Sequence, residues 1–285
     1  MTQREEQTPS DWWRTAIIDM SPGVIRMRGY PIEQLIGQVS LAGMVWLMTR
    51  GELPTPAQAA LLESALVAGV DHGPQAPSIA VARMAMTCGV GLNNAMASAI
   101  NTLGDIHGGA GEQALELFDA ILASVDAGLP LEQATRAAID AKEADGIRFV
   151  PGFGHRFHPV DPRVAPLLAA VERAREAGEV SGRVAEVASA VGDEIERRKG
   201  RRITMNIDGV TAVIYGELGF AAPLARGLFC LSRSVGILAH AWEQRCEGGR
   251  NKGPIPRHLL WTYDGPTRRD LPSDGARHPA GAEDP

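Results

Sequence analysis

Apolar residues recur at three- and four-residue steps along most of the chain. From Pro31 to Arg50, Ile32, Leu35, Ile36, Val39, Met44, Leu47 and Met48 keep this rhythm, which predicts an amphipathic helix or a pair of them, ended by Gly51. Thr55-Pro56-Ala57-Gln58 supplies a capping hydroxyl, a proline at the first helical position and a glutamine able to close a capping box. A helix is therefore expected through Leu61, Leu62, Ala65 and Leu66, finishing within Val67 to Val70. Further helical patterns cover Ser78 to Thr87, Asn93 to Leu103, Glu112 to Ala127, Leu131 to Ala141, Val164 to Ala177 and Arg183 to Lys199. Period-two alternation is nearly absent, so the expected fold is all-α. Pro266 to Pro285 is rich in Gly, Pro, Asp and Arg without apolar periodicity, which predicts a mobile tail.

The chain has 285 residues, 45% of them hydrophobic, enough for one large domain or two interlocked ones. Its 28 Lys plus Arg against 34 Asp plus Glu leave a net charge of -6, and no long basic run or basic–aromatic interleaving offers a nucleic-acid footprint. No stretch reaches the ~18 apolar residues of a membrane span. Met1 to Ser10 is polar and acidic, without a signal-peptide core, so a cytoplasmic location is the expectation. Cys88, Cys230 and Cys246 have no paired spacing. The apolar surroundings of Cys88 and Cys230 predict buried, reduced thiols, and neither a disulfide framework nor a zinc site is supported.

Candidate chemistry concentrates in three glycine-flanked stretches: Ile106-His107-Gly108-Gly109-Ala110, Val150-Pro151-Gly152-Phe153-Gly154-His155-Arg156 and Asn206-Ile207-Asp208-Gly209. Each presents one proton-handling side chain where the backbone can approach a ligand closely. Two imidazoles and a carboxylate suit the making or breaking of a carbon–carbon bond beside a carbonyl. Taken singly, a histidine near glycine is more often a turn residue; as an ordered set the three carry weight. His155, His158 and Asp161 as metal ligands are disfavoured, because Pro159 and Pro162 break a regular helical face and a further ligand is not evident. Along the apolar run Ala225 to Gln244, Arg226, Arg233 and His240 fall at seven-residue steps and form one polar stripe. Arg226 is expected in an internal ion pair or at the surface.

In order and character these motifs resemble the citrate synthase superfamily, whose members use a His in an HGG segment, a His in a GxGH segment and an Asp in an N-x-D segment. Gly29-Tyr30-Pro31-Ile32-Glu33-Gln34-Leu35, Gly51-Glu52-Leu53-Pro54-Thr55 and Arg233-Ser234-Val235-Gly236 with His240 look like further family landmarks, so the resemblance covers about Gly29 to Tyr263. Asp71-His72-Gly73-Pro74 and Asn206-Ile207-Asp208-Gly209 are similar to the citryl-CoA lyases and the lyase module of ATP citrate lyase. The HGG pattern at His107 is synthase-like, and an N-terminal helical portion of most citrate synthases has no counterpart.

The resemblance implies a large helical domain (1–109 and 212–285) with an inserted smaller helical domain (110–211), and a homodimer. It implies catalytic roles for His107, Asp208 and His155. His107, near a helix N-terminus that keeps its ring neutral, stabilises a thioester enol or enolate. Asp208 moves the proton at the adjacent carbon, and His155 handles the hydroxyl or keto oxygen. Arg163, Arg233 and His72 match substrate-binding positions, with Arg257, ahead of Arg250, as the arginine crossing from a partner subunit. Coenzyme A, as part of the substrate, is expected against Val150, Pro151, Gly152, Phe153 and Gly154, with Arg156 near its phosphates; no metal or permanently bound cofactor is implied. The expected activity is cleavage of citryl-CoA to acetyl-CoA and oxaloacetate. The alternatives are citrate or 2-methylcitrate synthesis from an acyl-CoA and a keto acid, and a non-catalytic protein that binds CoA esters. The keto acid's identity, the direction, and whether a separate ligase supplies the thioester stay open.

Overall fold

A computed structural model describes residues 12–147, 149–155, 158–256 and 258–271. Arg156, Arg257, the segment 1–11 and the last part of the expected tail, 272–285, lie outside the described residues. The chain is mostly helical, as the apolar rhythm requires, with one small sheet that the rhythm does not reveal. Strands β1 (Ile18–Ser21), β2 (Val24–Met27) and β3 (Tyr30–Pro31) form an antiparallel meander. The β2–β3 link is Arg28-Gly29, both at positive φ (49° and 89°), the conformation a tight two-residue hairpin demands. These strands are short and their outer faces largely exposed, so no alternation marks them. The Arg28 guanidinium donates to the Met48 carbonyl (2.8 Å), tying the sheet to a helix end.

Helices follow in the order α1 (Ile32–Leu35), α2 (Leu41–Arg50), α3 (Pro56–Ala68), α4 (Pro77–Thr87), α5 (Leu92–Ile100), α6 (Ala110–Asp126), α7 (Leu131–Ala144), α8 (Val164–Glu176), α9 (Arg183–Lys199), α10 (Ile207–Glu217) and α11 (Ala222–Glu247). The predicted segment 31–50 is thus a pair, parted at Ser40, whose side chain accepts from the Gly43 amide. Thr55 and Gln58 close a complete capping box on α3.

One large core joins Trp46 and Leu62 to Phe118, Val191 and Ile214. A smaller one joins Ile79, Ala95 and Ile237 between α4, α5 and α11. Helix α10 lies at the centre, touching α3, α6, α8, α9 and α11. Its outer end is fixed by Glu217, whose carboxylate accepts from the Gly182, Val184 and Ala185 amides and so caps α9 from a distance.

Two expectations are corrected, those on the thiols and on the length of apolar helix. Cys88 is exposed and Cys230 only half-buried, because Cys88 is the residue that closes α4, past the point where helical periodicity forecasts burial. The expected tail is exposed and without regular structure over 266–271, the part described. Helix α11, 26 residues long, is long and apolar enough by length and composition to cross a membrane. It nonetheless carries Arg226, Arg233 and His240, and packs its small-residue face against α4, α5 and α6.

Candidate active site

The start of α10 is held by side-chain and backbone bonds that reach the 150–154 loop. Asn206, the N-cap, accepts on Oδ1 from the Asp208 and Gly209 amides (2.9 and 3.2 Å), meeting two of the donors every helix start leaves open. Its own amide donates to the Gly152 carbonyl (2.9 Å) and its Nδ2 to the Gly154 carbonyl (2.6 Å). The Gly154 amide returns a bond to Thr204 (2.8 Å). Gly152 and Gly209 face each other so closely that a Cβ on Gly209 would stand 2.3 Å from the Gly152 oxygen. The GxGH loop and the N-x-D turn are therefore one backbone unit.

Asp161 extends this unit. Its side chain is fully buried, chelates Arg163 through both oxygens (2.9 and 2.8 Å), and accepts the Ile207 amide (3.0 Å). Burial opposes its charge, but Arg163 and the backbone donors outweigh burial and hold the carboxyl at about 2. A carboxyl depressed below its ordinary value contributes stability above that value, and loses it as the pH falls through about 2. Asp161→Asn is expected to destabilise the protein by about 3 kcal/mol at neutral pH, because it takes the buried carboxylate away from the partly buried Arg163 guanidinium. Urea unfolding of wild type and variant measures this.

Two arginines sit on the carboxyl end of α3. Arg163 Nη1 donates to the Ala68 carbonyl (3.4 Å) and Arg233 Nε to the Gly69 carbonyl (3.1 Å), where the negative end of the helix dipole favours cations. Arg163 spends its other contacts on Asp161. Arg233 does not: it is 4% exposed, lies over the Phe229 ring (4.8 Å), and among the described residues has no carboxylate in an ion pair with it. A buried guanidinium with its terminal nitrogens unengaged by protein carboxylates is a receptor for a ligand carboxylate.

The predicted catalytic residues surround these cations. Arg233 acts electrostatically on His72, His107 and Asp208, and Arg163 on His72, His155 and Asp208. Asp208 is half-buried; burial raises its pKa, Arg233 and Arg163 oppose the rise, and the Asp161 charge adds to it. The first turn of α6 meets the same point, since a Cβ on Gly111 would lie 3.7 Å from the Asp208 carbonyl oxygen.

His107 Nε2 accepts the Ser78 amide (3.2 Å), an open donor in the first turn of α4, and lies 3.0 Å from the Ser78 hydroxyl. The helix start its ring faces is thus α4, where the sequence argument looked to the helix that follows it. Burial first, then the Arg233 charge, lowers its pKa. The ring is neutral with its proton on Nδ1, which is left to donate.

His155 Nδ1 accepts the His158 amide (3.0 Å), and its ring meets His158 (4.6 Å) and His72 edge-to-face (5.8 Å). Burial, then His158, lowers the His155 pKa; burial, then Arg233 and Arg163, lowers that of His72. Arg226 is in the internal ion pairs foreseen for it, with Asp105 and Glu112.

A cavity of about 660 Å³ opens beside His155. Val150, Pro151, Phe153 and Gly154 line it, whereas Gly152 is turned towards α10 and seats Gly209. Sequence reasoning missed the basic side of this cavity, formed by Lys142, Lys199, Arg201 and Arg202. The signal was present: five of the six residues 197–202 are basic, a run too short to suggest nucleic acid but well suited to phosphate. Ser78 and Asp161 as supporting residues were also missed, because only the fold brings them to their partners.

Residues 54–257 match the family model described as citrate synthase, C-terminal domain. The chain is 31% identical over 204 residues to the citrate synthase of Acidithiobacillus ferridurans, covering 69% of this chain and 50% of that protein. It spans about half the length of the curated relatives it matches. The citryl-CoA lyase structure from Hydrogenobacter thermophilus superposes with a TM-score of 0.79 at 31% identity, covering 91% of this chain and 97% of that one. Citrate synthase from Thermoplasma acidophilum, solved with carboxymethyl-coenzyme A and oxaloacetate, gives a TM-score of 0.66 at 25% identity, over 81% of this chain and 58% of that one.

Proposed function

The chain belongs to the citrate synthase family, and from that premise we propose that it cleaves citryl-CoA to acetyl-CoA and oxaloacetate. The observation that carries the reading is Arg233: a buried cation, unpaired by protein carboxylates, with His72, His107 and Asp208 all in its field. It is a seat for a substrate carboxylate with acid–base groups already around it. Lyase is favoured over synthase because the citryl-CoA lyase structure superposes better, at a TM-score of 0.79 and 31% identity, than the Thermoplasma acidophilum citrate synthase, at 0.66 and 25%.

Cleavage breaks the bond between the carbinol carbon and the methylene next to the thioester. The hydroxyl proton leaves towards His155, the carbinol becomes the ketone of oxaloacetate, and the bonding pair becomes the enolate of acetyl-CoA. His107 Nδ1–H donates to the thioester oxygen, where the negative charge collects, and the protonated Asp208 carboxyl delivers its proton to the methylene carbon. The raised pKa of Asp208 favours the form able to do this. Because His155 Nδ1 accepts from the His158 amide, we assign its ring proton to Nε2. Accepting the hydroxyl proton at Nε2 requires the His158 bond to be released. The 110–211 portion closing on the rest would bring the three groups into register and expel water.

We place the CoA nucleotide in the 660 Å³ cavity, within the usual ligand-site range, with its phosphates towards the basic side. Lys199 and Arg201, like Lys142, are in no ion pair among the described residues and are open to a phosphate. Exchanging Lys199 and Arg201 for alanine is expected to raise KM for the CoA ester about tenfold or more, with a weakened salt dependence and little change in kcat.

The deciding assay supplies citryl-CoA in one vessel and acetyl-CoA with oxaloacetate in another. Cleavage of citryl-CoA without thioester hydrolysis supports the lyase. Release of free CoA in the second vessel supports the synthase reading, which the curated relatives named citrate synthase favour. Silence in both, with CoA still bound, leaves the non-catalytic reading. Light scattering after size exclusion tests the homodimer that belongs to this proposal.

A further inference from the structure

The turn that carries His72 is pinned to α11, the helix of Arg233, by further groups outside the chemistry just described. Helix α11 receives the α3–α4 connection through three contacts on two successive turns. Ser232 Oγ donates to the Leu66 carbonyl (2.5 Å), Arg233 Nε to Gly69 (3.1 Å), and the Gly236 amide to Val70 (3.1 Å). Only glycine allows the last approach, since a Cβ at 236 would stand 2.2 Å from the Val70 oxygen.

One turn further along α11, His240 Nε2 lies 3.2 Å from Asp71 Oδ1. The other Asp71 oxygen accepts the Gly73 amide (3.1 Å), so the carboxylate spans the turn in which His72 sits. Oδ1 is enclosed and has no aligned hydrogen-bond donor, which makes the imidazole its counterpart by distance, with no competing partner. Arg83 approaches His240 Nδ1 from α4 (3.4 Å) and is itself held by Glu243 and Glu247 of α11. Because arginine only donates, this contact leaves Nδ1 as acceptor and turns Nε2–H towards Asp71.

We propose that Asp71 and His240 form a positioning pair that locks the His72 turn onto the helix carrying Arg233, and so sets the spacing of two groups that grip the keto acid. The inference rests on the functional reading above for its consequence, though not for its geometry. Seven residues, two helical turns, separate Arg233 from His240 on α11, so one rigid rod holds the carboxylate receptor at one point and the His72 turn at another. Loss of the pin frees the turn without removing any group that touches substrate.

His240→Ala and His240→Gln test this in the full chain, glutamine placing an N–H donor near the position of Nε2. In the unliganded protein, amide exchange at residues 71–73 is expected to accelerate about tenfold or more in the alanine variant and to return towards wild type in the glutamine variant. In the condensation assay, KM for oxaloacetate is expected to rise about tenfold in the alanine variant, with kcat within about threefold and KM for acetyl-CoA unchanged. Should the alanine variant fail to fold, Asp71→Asn replaces it, with the same exchange and KM changes expected. Unchanged exchange at 71–73 overturns the proposal, as does faster exchange with an unchanged KM for oxaloacetate in an active enzyme. If wild type turns over in neither direction, the functional reading falls, and the exchange data alone judge the pin.

Discussion

Replacing Asp208 by asparagine is expected to lower turnover of citryl-CoA by about 10²–10⁴-fold while leaving the protein folded, as loss of a positioned proton carrier should. Asparagine keeps the shape, and the helix cap survives because Asn206 binds the backbone amide of residue 208, not its side chain. What disappears is a group that can hold a proton where burial favours holding it. A carboxyl whose pKa is raised by folding contributes its stability at low pH and loses it as pH rises through the folded value. Removing the ionisable group therefore removes a cost at neutral pH, so a falling Tm is not the expected route to lost activity. His107→Ala is expected to act on the same step, through the thioester oxygen, by about 10²-fold or more. Single-turnover measurement with citryl-CoA, beside a melting curve, separates chemistry from folding. Wild-type rates in Asp208→Asn would remove the residue from the mechanism.

The order of helices was legible because most are amphipathic. Helix α9 runs from Arg183 to Lys199, the limits its pattern predicts, and α3 begins at its capping box. Helix α10 was not read as a helix, for a physical reason: eight consecutive or near-consecutive residues, Ile207 and Gly209 to Tyr215, are all buried, so no polar stripe exposes the period. The same burial makes it the fixed point around which the site is assembled. Sequence could nominate His107, His155 and Asp208 from their glycine-rich settings. It could not show that His107 takes its tautomer from Ser78, 29 positions earlier, or that Arg163 and the start of α10 share one carboxylate, Asp161. Such pairings depend on how helices cross, which local pattern does not encode. The glycine that follows Asp208 falls between these cases, since its presence was visible and its necessity was not.

Gly209→Ala is expected to reduce kcat/KM by about 10²-fold and to lower Tm by about 5–10 °C, effects that an exposed helical position would never show. The new methyl would stand 2.3 Å from the Gly152 oxygen and 2.6 Å from Met205 Cγ, and the first of these is backbone that cannot rotate away. Overpacking of this kind costs about 1–3 kcal/mol and is relieved by pushing the two segments apart. Here that separation has a chemical price, because Gly152 precedes His155 by three residues and Gly209 follows Asp208 directly. Any displacement moves one proton-handling group relative to the other and strains the Asn206 bonds to Gly152 and Gly154. Gly152→Ala should behave alike, with added strain from its φ of +83°. Gly111→Ala is the control, since its methyl would meet the Asp208 carbonyl oxygen at an ordinary 3.7 Å and α6 gains a better helix former. Wild-type activity in Gly209→Ala would mean that the register between the histidine loop and the carboxylate helix is held by something other than this glycine pair.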